Sequence, residues 1–250
     1  MLTEETFKKL YEMRLSVMAQ ALREQCDTTA FDGLSFEERF GLLVDREWAA
    51  RQSNKLTRLM KQARYPISGA CLEDVQYTPE RNLNRDLILK LATCDYIQDR
   101  HNVLILGATG VGKTYLACAL GVQANRQKYS TRYVRLPDLL TELTLARAEG
   151  NYDKVMRQYE QYKLLILDEW LLFKTNENET SDLLRLLDTR HYHASTIFCS
   201  QYDVAGWQQM LGSPMIADAI CDRVAHNAYR IKLQGGSMRK QLGMAKQNAD

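Results

Sequence analysis

The chain has 250 residues, with 33 Lys and Arg against 31 Asp and Glu, a net charge of +2 at pH 7 and 45% hydrophobic residues. This composition is ordinary for a globular protein, and it excludes collagen-like, low-complexity and wholly disordered chains. No apolar run approaches the roughly 20 residues needed to cross a bilayer, and the N-terminus does not resemble a signal peptide. We therefore expect a cytoplasmic protein with no membrane partner.

The first part of the chain has the pattern of a small all-helical domain. Apolar residues recur at spacings of three and four over residues 10–22, which is typical of an amphipathic helix. Ser35 can cap a further helix that has two glutamates in its first turn, and Pro66 interrupts the helical pattern. The predicted domains are a helical N-terminal module at 1–65, a linker at 66–80 and a second domain at 81–250.

Short apolar runs alternate with longer helical patterns after residue 101. This alternation, with nearly continuous apolar strands, predicts an α/β domain built on a buried parallel sheet of five strands. The predicted strands cover residues 103–107, 132–136, 164–168, 195–200 and 229–233. The predicted helices cover residues 113–128, 138–149, 152–162, 179–190 and 214–224.

A phosphate-binding motif follows the first predicted strand. Residues 107–114 read Gly-Ala-Thr-Gly-Val-Gly-Lys-Thr and match G-x-x-x-x-G-K-[ST] between a strand and a helix. The glycines let successive N–H groups turn towards phosphate oxygens, and the helix adds its positive N-terminal end. We expect Lys113 to reach the β- and γ-phosphates of a bound nucleotide and Thr114 to ligate Mg²⁺. The predicted nucleotide-binding residues are Gly107, Ala108, Thr109, Gly110, Val111, Gly112, Lys113, Thr114 and Tyr115.

A second acidic motif ends the third predicted strand, where an apolar run is followed by Asp168 and Glu169. Such a position lies at the carboxyl edge of the sheet, where ligands bind in open α/β folds. We expect Asp168 to hold the metal, directly or through water, and Glu169 to orient and polarise the attacking water. Because a hydrolase needs the second carboxylate, the pair predicts a nucleoside triphosphate hydrolase.

A basic stretch covers residues 48–72, which contain five basic residues and no acidic one. The first three basic residues are spaced at i, i+4 and i+7 and therefore share one face of a helix. Such a row displaces counterions from DNA without reading its sequence. The alternative is a solvated face or one paired with acidic residues from elsewhere. The predicted DNA contacts here are Arg51, Lys55, Arg58, Lys61 and Arg64.

These motifs together resemble the IstB-like transposition helper ATPases of bacterial insertion sequences, which are AAA+ proteins related to the helicase loader DnaC and the initiator DnaA. The resemblance implies an AAA+ P-loop NTPase fold whose C-terminal lid is reduced or absent. It also implies a homo-oligomer with ATP at subunit interfaces, which assembles on duplex DNA and recruits the transposase of its element. The helical module at 1–65 is then expected to serve DNA binding and oligomerisation. The features that carry it are residues 34–39 and 45–51, the phosphate loop, Asp168-Glu169, Asp222-Arg223 and residues 236–239.

Further roles are implied by the resemblance alone. Ser200 or Gln201 is the candidate sensor of the γ-phosphate, and Arg239 resembles a second sensor that could instead be solvated or touch nucleic acid. Arg223 resembles the arginine finger that crosses to the neighbour's γ-phosphate, with a surface salt bridge as the alternative. Further DNA contacts are expected from an extra helical segment that contains Arg147, Lys154 and Arg157.

Three other functions are compatible with these patterns. A replicative helicase loader of the DnaC type would have the same ATPase but prefer single-stranded DNA and bind a helicase. A small-molecule kinase would use the phosphate loop without needing Glu169 or an arginine from a neighbour. A DNA-architectural protein would bind ATP without turnover.

Overall fold

The computed structural model describes residues 4–238. The chain forms two compact units that meet in the sequence between Arg58 and Leu59. Ala70 and Val75, which lie within the predicted linker, are buried in the apolar core of the second unit. Part of the segment 66–80 therefore packs as a component of the second unit.

The first unit is helical. Its longest helix begins with a reciprocal cap, because the Glu38 N–H donates to Ser35 Oγ at 3.3 Å and the Ser35 N–H donates to Glu38 Oε2 at 2.8 Å. The cap predicted at Ser35 is thereby confirmed. The helices are α1 (Glu4–Glu12), α2 (Ser16–Asp27), a short 3₁₀ turn (Thr29–Phe31) and α3 (Phe36–Ala63), of which α3 ends in the second unit.

The second unit alternates helices and strands. It opens with two helices, α4 (Arg85–Ala92) and α5 (Asp95–Gln98). The elements that follow in chain order are β1 (Asn102–Leu106), α6 (Lys113–Arg126), β2 (Thr131–Arg135), α7 (Leu136–Ala148), α8 (Tyr152–Gln161), β3 (Leu164–Asp168), α9 (Glu177–Arg190), β4 (Ser195–Ser200), α10 (Val204–Met210), α11 (Pro214–Ala225) and β5 (Ala228–Lys232).

The five strands form one parallel sheet in the order β2-β3-β4-β1-β5, which confirms the predicted fold class. The register pairs Leu106 with Ser200 and Arg135 with Asp168. The carboxyl ends of β1, β2, β3 and β4 therefore meet at one edge, and the residues that follow them are brought together there.

Successive side chains of each strand point to opposite faces of the sheet, and both faces are covered. On β1, Val103 and Ile105 belong to one apolar core and Leu104 to the other. On β3, Ile166 lies in the first core and Leu167 in the second. This two-sided burial explains why the strand sequences are almost continuously apolar.

The sequence prediction differs from the structure at several boundaries. Helix α7 begins at Leu136, which had been expected to end a strand, because Pro137 fits the first turn of a helix, where no N–H partner is needed. Helices α4, α5 and α10 were not predicted. Among residues 4–238, no helix combines the length and the apolar character needed to span a membrane.

Candidate nucleotide-binding site

The phosphate loop joins β1 to α6 and lies at the carboxyl edge of the sheet. The Gly107 N–H donates to Ser200 O at 3.2 Å, which fixes the start of the loop against β4. Gly110 has φ +86° and Gly112 has φ +98°, conformations that side chains rarely adopt. A Cβ at Gly110 would also lie 2.4 Å from Ser237 Oγ. The loop is therefore both conformationally and sterically restricted to glycine at these positions.

Lys113 is the first residue of α6, and its side chain folds back over the loop. Its Nζ donates to Gly107 O and to Ala108 O, each at 2.8 Å. The ammonium group thus lies against the turn of the loop that the motif provides for phosphate. Tyr115 points elsewhere, since its hydroxyl is within 3.4 Å of both Cys71 N and Cys71 O.

Thr114 and Asp168 come together as the sequence predicts. The Thr114 hydroxyl donates to Asp168 Oδ2 at 2.6 Å, and Asp168 is only 4% exposed. Two further donors reach this carboxylate, Tyr133 Oη at 2.8 Å from Oδ2 and the Glu169 N–H at 2.8 Å from Oδ1. A hydroxyl and a carboxylate are hard oxygen donors of the kind that Mg²⁺ prefers. The pair therefore fits the ion that accompanies ATP.

Tyr133 was not identified from the sequence. Burial and the neighbouring Asp168 carboxylate raise the pKa of Tyr133 well above its ordinary value. The phenol therefore remains protonated, and a hydrogen-bond donor, at neutral pH.

Glu169 follows β3 in a left-handed conformation with φ +54°. Its Oε2 accepts a hydrogen bond from the Arg135 guanidinium at 2.7 Å, and this bond raises the pKa of Arg135. The Glu169 side chain is 31% exposed, so the carboxylate is accessible from solvent beside the buried Asp168. Arg135 is a second residue of the site that the sequence did not indicate.

The two sensor candidates at the end of β4 have different surroundings. Ser200 is buried, and its Oγ donates to Trp170 O at 3.0 Å while it accepts from Trp207 Nε1 at 3.0 Å and from the Tyr202 N–H at 3.2 Å. The Ser200 hydroxyl is thus committed to the turn that carries Glu169. Gln201 is exposed at the same edge of the sheet.

Arg223 lies in the last turn of α11, away from the phosphate loop of its own chain. Its Nε donates to Asp188 Oδ1 at 2.5 Å and its Nη1 to Ala219 O at 2.9 Å. This ion pair joins α11 to Asp188 on α9, and it does not involve Asp218 or Asp222, which are close to Arg223 in the sequence. The side chain is 30% exposed, so the guanidinium is partly accessible.

Two segments outside the motif contact the phosphate loop. Arg81 Nη2 donates to Val111 O at 3.0 Å and would lie 2.9 Å from a Cβ at Gly112. The Met238 N–H donates to Gly110 O at 2.9 Å. Arg239, the predicted second sensor, lies outside the described residues.

The residues expected to contact DNA fall into two groups. Arg51 donates to Glu47 Oε1 at 2.7 Å and to Arg14 O at 2.8 Å, and Arg147 donates to the buried Asp182 at 2.6 Å. These two guanidinium groups therefore hold helices of their own unit together. Arg51 and Arg147 nevertheless stay about half exposed, at 54% and 48%. The other six are exposed as well: Lys55, Arg58, Lys61, Arg64, Lys154 and Arg157.

Comparisons with known proteins identify the family. Residues 8–246 match the family described as IstB-like ATP binding protein. An insertion sequence ATP-binding protein of Sinorhizobium fredii is 43% identical over 96% of this chain and 98% of its own length. That of insertion sequence IS1162 from Pseudomonas fluorescens is 47% identical over 80% of this chain and 87% of its own length.

Solved structures agree in fold. DnaI has a TM-score of 0.59 and 21% identity, and the match covers 66% of this chain and 92% of DnaI. The DnaC helicase loader has a TM-score of 0.56 and 19% identity, and the match covers 68% of this chain and 99% of the loader. AMPPCP-bound DnaA from Aquifex aeolicus has a TM-score of 0.58 and 18% identity, and the match covers 73% of this chain and 55% of that DnaA chain. These identities are low enough that they support the AAA+ fold alone. The family match and the insertion sequence relatives go further, and the chain belongs to the IstB-like ATP-binding protein family.

Proposed function

We propose that this protein is a Mg²⁺-dependent ATP hydrolase that assembles on duplex DNA and serves as the helper of an insertion sequence transposase. Family membership supports the ATP-binding and insertion sequence context. The observation that carries the hydrolase is the 2.6 Å bond between Thr114 and Asp168, with the accessible Glu169 carboxylate next to it.

Each residue of the phosphate loop and of the acidic pair has a separate role in binding and hydrolysing the triphosphate. Lys113 exchanges its two carbonyl partners for β- and γ-phosphate oxygens, while the N–H groups of the loop donate to the phosphates. Thr114 and Asp168 hold Mg²⁺, which neutralises charge on the phosphates when bound. Glu169 accepts a hydrogen bond from the attacking water and orients it in line with the γ-phosphate.

Gln201 is the better candidate for the γ-phosphate sensor. Its amide is exposed at the carboxyl edge of the sheet, whereas the Ser200 hydroxyl already has three partners. An amide N–H can donate to a γ-phosphate oxygen and stabilise the charge that develops there.

Arg223 acts on the ATP of a neighbouring copy. It lies far along the chain from the phosphate loop, on the C-terminal turn of α11, and is partly exposed. To reach a neighbour's γ-phosphate, its guanidinium exchanges Asp188 for a phosphate oxygen, and its charge stabilises the transition state. The ATP site is then complete only in a homo-oligomer.

The exposed cations of α3 and α8 contact the DNA backbone. Lys55 and Arg58 on α3 and Lys154 and Arg157 on α8 are exposed. Their charges bind phosphates without sequence preference and with strong salt dependence. ATP binding favours assembly on duplex, hydrolysis loosens it, and the assembled protein presents the target DNA to the transposase.

The decisive experiment compares wild type with Glu169→Gln, which keeps the size of the side chain. We expect the ATP hydrolysis rate to fall about a hundredfold or more, with nucleotide binding retained and DNA-bound assemblies persisting in ATP. Lys113→Ala is the control that loses nucleotide binding and, when no ATP-binding copy is present, assembly. The hydrolase proposal fails if Glu169→Gln turns over ATP at the wild-type rate.

The DNA substrate tests the rest of the proposal. Binding of duplex and single-stranded oligonucleotides of equal length is measured with ATP, with ADP and without nucleotide. Preference for duplex in ATP supports the transposition helper, and strong preference for single strands supports a helicase loader instead. DNA binding that is unaffected by Lys113→Ala indicates an architectural protein.

A further inference from the structure

The carboxylate of Asp168 has a donor that no motif includes. Tyr133 lies on β2, and its hydroxyl donates to Asp168 Oδ2 at 2.8 Å. The same oxygen accepts from the Thr114 hydroxyl at 2.6 Å, and the other oxygen accepts from the Glu169 N–H at 2.8 Å. Among residues 4–238, the other donors to this buried carboxylate come from the two nucleotide-binding motifs.

The sheet register explains how Tyr133 reaches the site. Tyr133 pairs with Ile166, and Asp168 lies two residues further along β3, a distance of roughly 6.6 Å along the strand. The phenol spans this distance between α6 and the sheet, so that only its hydroxyl meets the carboxylate. The ring is 9% exposed and belongs to the apolar core with Cys118 and Cys199.

The three hydrogen bonds fix the orientation of the carboxylate. An ionised carboxylate accepts through about four lone-pair positions. Tyr133 and Thr114 occupy those of Oδ2, and the Glu169 N–H occupies one of Oδ1. The donors within residues 4–238 therefore leave one position on Oδ1 for the coordination shell of a metal. The Thr114 oxygen retains its lone pairs because it donates its proton to Asp168.

We propose that Tyr133 is a positioning residue for the metal site, whose hydroxyl holds the Asp168 carboxylate in the orientation that binds Mg²⁺ with the nucleotide. This inference rests on the proposed ATP site, and it concerns how the ligand is oriented, because Tyr133 itself does not contact metal or phosphate. Without the hydroxyl, Asp168 Oδ2 loses a partner in a buried setting and the carboxylate is free to rotate towards other donors.

The test is Tyr133→Phe, which removes the hydroxyl and keeps the ring in the core. Binding of a fluorescent ATP analogue is measured in EDTA and across a Mg²⁺ titration. We expect the Mg²⁺ concentration at half-saturation to rise about tenfold, the order found for residues that orient a metal ligand, with affinity in EDTA unchanged. In hydrolysis, the Mg²⁺ requirement rises while the rate at saturating Mg²⁺ stays close to wild type.

Tyr159→Phe is the matched control. Tyr159 is also buried, and its hydroxyl donates to Glu142 Oε2 at 2.5 Å on the face of the sheet opposite the Tyr133 ring. We expect this variant to keep the wild-type Mg²⁺ midpoint. The proposal is overturned if Tyr133→Phe keeps that midpoint too, or if it weakens binding equally with and without Mg²⁺. If wild-type protein binds no nucleotide at all, it is the proposed function that fails.

Discussion

Ser200 and Gln201 are adjacent in sequence, but the structure gives their side chains separate tasks. The Ser200 hydroxyl joins the end of β4 to Trp170 and receives the Trp207 indole N–H. Trp170 directly follows Glu169, whose left-handed conformation needs support from its surroundings. Ser200 therefore maintains the turn that presents Glu169, whereas Gln201 is available to a ligand.

This division predicts that one alanine substitution lowers stability and the other lowers the rate of ATP hydrolysis. We expect Ser200→Ala to lower the free energy of unfolding by about 1–3 kcal/mol, because it leaves buried donors without an acceptor. Gln201→Ala should keep wild-type stability and slow ATP hydrolysis by about a hundredfold. Urea unfolding and turnover at saturating ATP measure the two effects. The sensor would instead be Ser200 if Gln201→Ala hydrolysed ATP at the wild-type rate while Ser200→Ala kept wild-type stability and hydrolysed ATP slowly.

Arg190 is a charged residue that the sequence offered no reason to place in the core. It is 2% exposed, and its guanidinium donates to carbonyl oxygens that include Tyr159 O and Tyr162 O at the end of α8 and Ser195 O on β4. Burial lowers the pKa of Arg190 to about 9, which is still above neutral. The charge is favourable there because it meets the negative C-terminal end of α8.

At the scale of elements, α7, α8 and α9 are joined by polar contacts to one buried carboxylate. Asp182 on α9 accepts from Arg147 on α7 and from the Tyr152 hydroxyl on α8, each at 2.6 Å. Arg147 also lies over the Tyr152 ring at 4.5 Å. The arginine on α7 is therefore part of the packing of this segment, while Lys154 and Arg157 on α8 face solvent.

Substitutions in this segment should separate stability from DNA affinity. We expect Arg147→Ala to destabilise the protein by about 1–2 kcal/mol and to keep the salt dependence of DNA binding. It leaves the buried Asp182 without its cation, but Arg147 is 48% exposed and Asp182 keeps the Tyr152 donor. Lys154→Ala and Arg157→Ala should leave stability unchanged and each reduce the log–log salt slope of duplex binding by about one. Thermal unfolding and binding titrations at several salt concentrations provide the measurements. Unchanged slopes in both α8 variants would remove this helix from the DNA-binding surface.

The sequence predicted the elements of the sheet well and their surroundings less well. Strand β3 was predicted with its observed limits because the run 164–167 is apolar and is followed by Asp168 and Glu169. Helices α4 and α5 were missed because they are short, and their apolar residues Ile88, Leu91 and Ile97 become informative only when packed against α6 and the sheet.

The same limit applies to the site. The phosphate loop and the acidic pair were found because each lies within a short stretch of sequence with fixed spacing. Tyr133 and Arg135 were not predicted, because they are distant in sequence from Asp168 and Glu169. The pairing of β2 with β3 brings them into hydrogen-bonding contact. A tyrosine or arginine at the end of a strand is not a signal by itself. Only the strand order shows that β2 is the neighbour of β3.

At the scale of the whole molecule, the proposed ATP site requires two copies of the chain, and this can be tested by mixing defective variants. Lys113→Ala cannot bind ATP but still carries Arg223, whereas Arg223→Ala binds ATP but lacks the guanidinium. Each variant alone should hydrolyse ATP about a thousandfold more slowly than wild type.

In an equal mixture, a productive interface needs an Arg223→Ala copy at the ATP side and a Lys113→Ala copy beside it, so about one quarter of interfaces in a head-to-tail assembly should recover. Hydrolysis is measured in mixtures at constant total protein, with duplex DNA present. The control replaces Lys113→Ala by the double variant, which offers neither group and should restore nothing. If Arg223→Ala alone keeps the wild-type rate at every dilution, and the mixture shows only the activity of its Arg223→Ala copies, the site is complete within one chain, and Arg223 serves only to bind Asp188.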